Sequence, residues 1–361
     1  MYHGEKILLL DLLKVLQKHT DENYRITQTE IINILENEYG YENLYQRRKR
    51  IKDNMEKLLR YSERSDANEI LYHTSKRNIK NNETGETEQA NVYSNFGYVH
   101  DFTHAELRLM IDSILFSKQI PSRQRAELIE KLEGLSSKHF NSRMNHIRTL
   151  SSDGPINHDL FYNIEVLDEA ISQSKQVSFK YNHYTVDEKN RLVLQPRTNR
   201  EGIERKYIIN PYQMVATNGR YYLICNNDHY DNVSHYRLDR MANINILDKE
   251  RKPMREVKEL EHGLNLPKHM AEHIYMFRGE SVTVRLRFNK QVISEFIDWF
   301  GTEHVEFFDQ TEDEVSVRVR VNKEAMRKWA LQYALHVRVL SPSDLVDNIK
   351  QDIAQVMKNY E

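Results

Sequence analysis

The dipeptide Asn218-Gly219 constrains the fold of this chain more than any other short feature. It lies between two apolar, aromatic-rich runs, residues 207–217 and 220–225. A two-residue type I′ turn needs positive φ at both central positions, and Asn-Gly adopts this conformation readily. The sequence therefore predicts a β-hairpin here. A further strand-like run, residues 234–238, follows it closely.

Length and composition indicate a large globular protein. The 361 residues are too many for one ordinary domain, so we expect two to four. No run approaches the roughly 20 consecutive apolar residues that span a bilayer, so no membrane partner is expected. The single cysteine, Cys225, excludes an intrachain disulfide and a cysteine-rich zinc site. We therefore expect a cytoplasmic protein.

Three helices are predicted at the start of the chain. Residues 6–16 have a broad apolar face. Thr27 and Glu30 have the spacing of a capping box that opens a second helix, and Gly40 suits its left-handed C-cap. A third helix is predicted over residues 42–61. A tight glycine turn before a third helix is typical of a helix-turn-helix.

The third predicted helix carries the one dense basic cluster of a chain whose net charge is −2. In a helix-turn-helix, the N-terminal half of this helix meets base edges in the major groove. Arg can pair with guanine and Gln with adenine, whereas Lys mostly holds phosphate. The charges could instead form a solvated helix face. The candidate DNA-binding residues here and in the second helix are Thr29, Tyr45, Gln46, Arg47, Arg48, Lys49, Arg50 and Lys52.

A wing is predicted after the third helix. Two strand-like runs, residues 69–75 and 90–97, flank a long polar loop. Lys76 and Arg77 of this loop are candidate contacts to phosphates or to the minor groove. The loop could also be simple disorder. Helix-turn-helix and wing together favour DNA binding for the head, residues 1–98.

Residues 99–156 predict a helical connector. Thr103 begins a second capping box, and Pro121 begins a further helix. The Ser- and Pro-containing run at residues 151–155 indicates a break between domains. The connector could form the interface of a homodimer, or only an intramolecular helical hairpin.

Residues 157–250 combine one helix with several short strands, which predicts a small β-barrel of the Sm or SH3 kind. This segment resembles the WYL domain, which usually follows a DNA-binding head as its sensor. The residues that carry the resemblance are FKY at 179–181, NPY at 210–212, RYYL at 220–223 and YRLDRM at 236–241. The resemblance implies a transcriptional regulator.

Cations and aromatic rings on the barrel predict a site for single-stranded nucleic acid or a nucleotide, because cations neutralise phosphate and rings stack on bases. The resemblance implies that Arg237 and Arg240 are the first choices. Along a regular strand the side chains of Arg237 and Arg240 would face opposite sides of the sheet, so both can serve one ligand only if the strand ends or bulges near Asp239. Arg240 could instead pair with Asp239, Tyr222 could belong to the core, and Ser234 replaces a residue often basic in the family. The candidate ligand-binding residues are Arg197, Arg205, Arg220, Tyr222, His235, Tyr236, Arg237 and Arg240.

Residues 278–361 follow the order β-α-β-β-α-β, which predicts a ferredoxin-like domain. It resembles the C-terminal extension of many WYL regulators. Residues 251–277 are predicted to be a linker. Four arginines alternate with apolar residues on one predicted sheet face, which could contact ligand or a second protomer, or be solvated: Arg285, Arg287, Arg318 and Arg320. The predicted fold class is multidomain α+β.

No common catalytic or phosphate-binding motif occurs, so we expect no enzymatic activity, no cofactor and no metal. Two histidine pairs have i,i+4 spacing, His100 with His104 and His269 with His273, but neither pair has a clear third ligand in the sequence. Cys225 lies in an apolar strand, where it is expected to pack as a small hydrophobe.

The sequence therefore predicts a homodimeric, DNA-binding transcriptional regulator. Its partners would be an operator duplex and a nucleic-acid or nucleotide effector sensed by the barrel. One alternative is an accessory RNA or single-stranded DNA-binding protein whose head is a docking module. Another is a hydrolase or deaminase hidden in the barrel.

Overall fold

The chain folds as a mixed α and β protein with several separate sheets, as predicted. It divides into two compact units, residues 1–153 and 154–361. None of the helices described is long and apolar enough to cross a membrane. The computed structural model describes residues 5–64, 69–80, 87–117, 119–140 and 158–361.

The first unit begins with three helices and a β-hairpin. The helices are α1 (Glu5–His19), α2 (Gln28–Tyr39) and α3 (Arg48–Ser62), and the paired strands are β1 (Ile70–Lys80) and β2 (Thr87–Tyr98). Side chains from all five elements share one core. The apolar faces read from the sequence therefore pack the helices on one another and on the hairpin. Fully buried members include Leu12, Leu16, Ile31, Leu35 and Ile51.

Both ends of α2 are as predicted. The Thr27 side chain accepts the backbone N–H of Glu30, and the Glu30 carboxylate accepts the backbone N–H of Thr27 at 2.7 Å. Gly40 has φ 71°, the left-handed conformation that glycine adopts without steric cost. These contacts fix where the turn before α3 begins.

The third helix begins later than predicted. A short 3₁₀ turn, Leu44–Arg47, precedes α3. Asn43 has φ 55°, and the N–H of Leu44 is donated to the Glu36 carboxylate at 2.8 Å. This left-handed residue and its neighbouring hydrogen bond interrupt the helix, so Arg48 opens the first α-helical turn.

The hairpin strands are longer than predicted. They pair as far as Lys80 and Thr87, so Lys76 and Arg77 lie on β1 and not in the loop. Backbone hydrogen bonds between Phe96 of β2 and Ile26 at 2.8 and 2.9 Å attach the hairpin to the segment before α2.

Two connector helices, α4 (His104–Phe116) and α5 (Ser122–Glu133), belong to the same unit as the head. The Ser137 hydroxyl donates to the Asp21 carboxylate at 2.7 Å, which ties the end of the connector to the loop after α1. The domain break predicted at residues 151–155 lies outside the described residues.

The second unit opens with a helix and a six-stranded antiparallel arrangement in the order β4-β3-β5-β6-β7, with β8 paired to β3. Asn218 and Gly219 have φ 51° and 70°, which confirms the predicted hairpin turn. These elements are α6 (Leu160–Ser172), β3 (Lys175–Val186), β4 (Leu192–Pro196), β5 (Lys206–Thr217), β6 (Arg220–Asn226), β7 (Val233–Arg237) and β8 (Met241–Glu250).

The Asn-Pro-Tyr run of β5 forms hydrogen bonds with the two residues that follow β8. Asn210 Oδ1 accepts the backbone N–H of Lys252 at 2.9 Å, and the Tyr212 hydroxyl donates to the Lys252 carbonyl at 2.8 Å. Arg251 donates to the Pro211 carbonyl at 2.7 Å. The motif that carries part of the family resemblance is therefore a structural anchor.

Residues 251–277, expected from their poor patterning and two prolines to be a linker, cover one face of this sheet. They contain the helix α7 (Leu266–Glu272). Val257, Leu260 and Met276 are buried in a cluster with Tyr212 and other side chains of the sheet.

The C-terminal elements follow the predicted β-α-β-β-α-β order. Their sheet is antiparallel with the order β10-β11-β9-β12, and Trp329 is fully buried in its core. The elements are β9 (Ser281–Asn289), α8 (Ile293–Phe300), β10 (Val305–Phe308), β11 (Glu314–Asn322), α9 (Lys323–Gln332), β12 (Val337–Ser341) and α10 (Ser343–Lys358).

Two glycines of the first unit give a matched stability test. A Cβ at Gly97 would lie 2.9 Å from the Asp21 carbonyl oxygen, which is backbone and cannot move aside cheaply. We expect Gly97→Ala to lower the free energy of unfolding by about 1–3 kcal/mol. At Gly134 the nearest atom would be 3.4 Å away and the backbone is right-handed helical. Gly134→Ala should then change stability by less than about 1 kcal/mol. Chemical denaturation of both variants checks this, and equal losses would contradict it.

Candidate nucleic-acid sites

The start of α3 presents an exposed basic surface. Gln46, Arg47, Lys49 and Lys52 are all exposed, and Arg50 is half-buried. The first turn of α3 contains no acidic residue. Because a helix N-terminus carries free N–H groups and a partial positive charge, it adds to these cations in attracting an anion.

Arg48 has a different environment from its neighbours. Its guanidinium donates to the Thr29 hydroxyl at 2.7 Å and lies 4.3 Å from the centre of the Tyr45 ring. Gln28 also donates to the Arg48 carbonyl at 3.1 Å. Arg48, Thr29 and Tyr45 therefore join the starts of α2 and α3.

Lys76 and Arg77 are exposed on β1, in the same unit as α3. They lie opposite Asn91 and Ala90 of β2. A paired strand holds these two cations in a fixed register, which a loop would not do.

Four aromatic rings form the centre of the sheet in the second unit. Phe179 and Tyr207 stack with their ring centres 5.6 Å apart, and Tyr181 meets Tyr236 edge to face at 5.0 Å. All four side chains are buried, Tyr236 with 4% of its surface exposed. Tyr236, a predicted ligand contact, thus packs inside this aromatic cluster.

Three predicted arginines surround the cluster, and we call Arg197, Arg205 and Arg240 the arginine rim. The Arg197 guanidinium lies 5.9 Å from the Tyr181 ring centre, and that of Arg205 lies 4.9 Å from the Tyr207 ring centre. The Arg205 backbone N–H also donates to the Arg197 carbonyl at 2.8 Å. Two of the cations are therefore held together by backbone geometry.

Arg240 completes the arginine rim from the start of β8, whose first residue, Met241, pairs with Tyr181 of β3. Its guanidinium lies 5.5 Å from the ring centre of Tyr184, a partly exposed side chain. Its buried Nε has no hydrogen-bond partner among the residues that the structure describes. A cation with an unused donor is suited to bind an anionic oxygen.

Arg237 is already paired. Its Nε and Nη2 donate to the two carboxylate oxygens of Asp239 at 3.0 and 2.6 Å. Burial alone would lower the pKa of Arg237, but Asp239 outweighs it and the pKa is raised. Asp239 therefore pairs with Arg237 and not with Arg240. Arg240 is left as the stronger candidate for binding an anion.

A regular strand would place Arg237 and Arg240 on opposite faces of the sheet, but the strand β7 ends between them. β7 stops at Arg237, and a 3₁₀ turn, Leu238–Arg240, follows. Asn163 of α6 is fully buried and donates to the carbonyls of Leu238 at 3.1 Å and Met241 at 2.9 Å. This amide holds the turn at both ends, so it sets the direction of Arg240.

The other predicted ligand residues lie on the sheet face that residues 251–277 cover. Tyr222 packs against the apolar cluster on that face. Strand alternation places Arg220 on the same face of β6, and its buried Nε has no hydrogen-bond partner among the described residues. His235 contacts His269 of α7. The structure therefore does not bring these three to the arginine rim.

Sequence reasoning missed Arg278. Its guanidinium donates to the Tyr236 hydroxyl at 2.6 Å and lies 5.2 Å from that ring centre. It follows the segment predicted as a linker and belongs to no motif, so no local pattern pointed to it. Tyr181 and Tyr207 were also missed as the rings beneath the arginines, although Tyr181 ends the quoted FKY run.

Cys225 is fully buried, and burial raises the pKa of its thiol. Its Sγ lies 3.3 Å from the Ser234 carbonyl oxygen. The thiolate needed for a nucleophile is therefore strongly disfavoured.

Comparisons with known proteins identify two domains. The WYL domain model matches residues 162–246, and the WCX domain model matches residues 280–357. None of the curated proteins matches the chain.

Two solved structures are similar at low identity. Proteasome accessory factor B/C (PafBC) of Arthrobacter aurescens is 12% identical with a TM-score of 0.27, over 99% of this chain and 49% of that one, so the chain spans about half its length. A CRISPR Cas-related protein is 14% identical with a TM-score of 0.34, over 91% of this chain and 76% of that one.

Removal of the Asn163 amide tests whether it holds the 238–240 turn. We expect Asn163→Ala to lower the free energy of unfolding by about 1–3 kcal/mol, because two carbonyls lose their donor. Asn245→Ala is the matched control, since Asn245 is exposed and donates only to the nearby Asn243 carbonyl at 3.0 Å. Thermal and urea unfolding measure both; a similar small effect for the two variants would contradict the role of Asn163.

Proposed function

We propose that this chain, which carries a WYL domain followed by a WCX domain, is a DNA-binding transcriptional regulator that senses a nucleic-acid fragment or nucleotide. The observation that carries the proposal is the exposed set Arg47, Lys49 and Lys52 at the N-terminus of α3. These cations add to the positive end of the helix in a unit that also carries a basic strand hairpin.

The head is proposed to be a winged helix-turn-helix. In that arrangement α3 enters the major groove, where Gln46 and Arg47 meet base edges while Lys49 and Lys52 hold phosphates. Arg48 keeps α2 and α3 in register through Thr29 and Tyr45. Lys76 and Arg77 of β1 would follow the flanking backbone. Phosphate contacts supply affinity, and base contacts supply sequence preference.

The barrel of the WYL domain is proposed to bind the effector at the arginine rim. Arginine guanidinium groups neutralise phosphate, and the exposed Tyr184 beside Arg240 offers a ring on which a base can stack. Arg237 serves the site indirectly, because its charge is satisfied by Asp239. An effector changes DNA binding only if it has different affinities for two arrangements of the protein.

We also propose a homodimer, since two copies of a helix-turn-helix read the two halves of a palindromic operator. A ferredoxin-like WCX domain would then either extend the effector site or form part of the dimer interface. The protein is proposed to act by binding and not by catalysis, with Cys225 as a core side chain.

The α3 surface is tested by single charge removals. Arg47→Ala and Lys49→Ala should each weaken binding to a duplex that contains the protein's own promoter by about tenfold at physiological salt. Loss of the Lys49 phosphate contact should also reduce the magnitude of the slope of log affinity against log salt by about 1. Fluorescence anisotropy across a salt series measures both quantities.

Arg60→Ala is the matched control, because Arg60 is exposed in the last turn of the same helix. It removes the same charge and should change the affinity by less than about twofold. Equal losses for Arg47 and Arg60 variants would indicate only a general charge effect and would contradict a recognition role for the start of α3.

The arginine rim is tested with a short single-stranded DNA oligonucleotide. Arg197→Ala and Arg240→Ala should each weaken its binding by about five- to fiftyfold, because each removes a charged donor from phosphate. Arg191→Ala is the control: Arg191 is exposed, lies just before β4 and is paired with Asp187 at 2.8 Å. If all three variants bind alike, the ligand does not lie at the arginine rim.

The same variants distinguish a transcriptional regulator from the alternative, an accessory nucleic-acid-binding protein. A nucleic-acid accessory factor with a docking head would keep its function in the Arg47 and Lys49 variants and lose it in the Arg197 and Arg240 variants. The regulator loses promoter binding in the first pair. A promoter reporter in cells, measured for all four variants, gives the two patterns.

A further inference from the structure

Three histidines that the sequence places far apart meet at one point of the second unit. His235 lies on β7, His269 lies in α7, and His273 is the residue directly after α7. Each has a ring nitrogen within 4.8 Å of those of the other two. The sequence showed the i,i+4 pair but not its third member, because His235 is brought there only by the packing of residues 251–277 on the sheet.

The three rings are close and largely enclosed. The ring centres of His269 and His273 are 4.2 Å apart, and His235 lies 5.1 and 5.0 Å from them. His269 and His273 are buried, and His235 is only partly exposed. The Nε2 atoms of His235 and His269 are 2.8 Å apart and share a hydrogen bond in the absence of an ion. Such convergence of imidazole nitrogens is what a transition-metal ion requires of its ligands.

Hydrogen bonding does not account fully for this cluster. The Phe277 backbone lies close enough to His235 and His273 to raise the pKa of each. The buried Nδ1 atoms of these two rings nevertheless make no hydrogen bond of ordinary geometry within the described part of the chain. Burial lowers the pKa of all three rings, that of His269 to about 3, and neighbouring imidazoles lower it further for His235 and His269. The rings are therefore neutral near pH 7, the form in which imidazole offers a lone pair to a metal.

We propose that His235, His269 and His273 bind one divalent transition-metal ion of the zinc class. Nitrogens bound to tetrahedral zinc lie about 3.3 Å apart, given Zn–N distances of about 2.0–2.1 Å. The His235 and His269 nitrogens therefore need to separate by about 0.5 Å, which small ring rotations provide. Both rings are on side chains with two rotatable bonds, so no backbone movement is needed.

Glu259 lies beside the cluster but outside the group of described donor atoms that are all within 4.8 Å of one another, so we expect water as the fourth ligand. The Glu259 carboxylate oxygen lies 3.8 Å from Nε2 of His273. Its backbone is left-handed, with φ 79°, a conformation that costs free energy for this residue type. The pKa of Glu259 is raised by burial and by the nearby Glu272. A bound cation would add to the positive charges of Lys258 and Arg320 in favouring the ionised form of this carboxylate.

The ion would join the segment matched by the WYL domain to the residues that follow it. His235 belongs to the segment matched by the WYL domain, whereas His269 and His273 lie between the two matched segments. Glu272 of α7 pairs with Arg320 of β11, inside the WCX match, at 3.2 Å. The metal would therefore fasten α7 to β7, next to the Tyr236–Arg240 run, independently of what the arginine rim binds.

The test uses the full chain, stripped with a chelator and desalted, then titrated with Co²⁺ and separately with Zn²⁺. We expect one equivalent of Co²⁺ to give the intense visible bands of a four-coordinate site, and Zn²⁺ to displace it. His269→Gln and His273→Gln should weaken binding by at least about tenfold. His262→Gln is the matched control, because His262 is exposed in the same segment and outside the cluster, and it should bind as the unaltered protein does.

Thermal unfolding supplies a second measurement. Zn²⁺ should raise Tm of the unaltered protein and of the His262 variant, but not of the His269 and His273 variants, because only native-state binding stabilises. The proposal is overturned if the folded, stripped protein binds less than one tenth of an equivalent. It is equally overturned if the His269 and His273 variants keep full affinity.

Should those variants fail to fold, the Co²⁺-loaded unaltered protein decides the question. Its proton NMR spectrum should show three strongly shifted, exchangeable imidazole N–H signals, one from each histidine. One such signal or none would overturn the proposal.

Discussion

The buried amide of Asn163 is the contact on which the proposed effector site most depends. Its two hydrogen bonds hold the carbonyls of Leu238 and Met241, one within the 3₁₀ turn and one directly after it. Without this turn, β7 would continue and alternation would send Arg237 and Arg240 to opposite faces. With it, Arg237 turns to Asp239, and Arg240 reaches the partly exposed ring of Tyr184. One side chain on α6 thus separates a structural arginine from a ligand-binding candidate.

The local fold was largely predictable because its signals are local. The capping box at Thr27, the left-handed Gly40 and the turn at Asn218-Gly219 each depend on residues that are neighbours in sequence. The delayed start of α3 was missed because it depends on Asn43 and on a carboxylate eight residues before Leu44. Sequence rules based on hydrophobic periodicity and on capping residues do not take such a contact into account.

The candidate site was less predictable because its parts come from distant segments. Arg197, Arg205 and Arg240 were identified as cations, but their positions beside Tyr181, Tyr207 and Tyr184 depend on how three strands pair. Arg278 carries no pattern, and it reaches Tyr236 only because residues 251–277 fold back over the sheet. The same fold-back brings the two histidines of α7 to His235. A linker was predicted there because the segment has no regular apolar period, although several of its apolar side chains pack on the sheet.

The central claim is that effector binding at the WYL domain changes DNA binding by the head. The most direct test measures the affinity of the full-length protein for its promoter duplex with and without a saturating short single-stranded DNA oligonucleotide. The account predicts a change of about five- to a hundredfold, and the same factor when oligonucleotide affinity is measured with and without duplex. Duplex affinity that stays equal in both conditions, while the oligonucleotide is shown to bind, would contradict it.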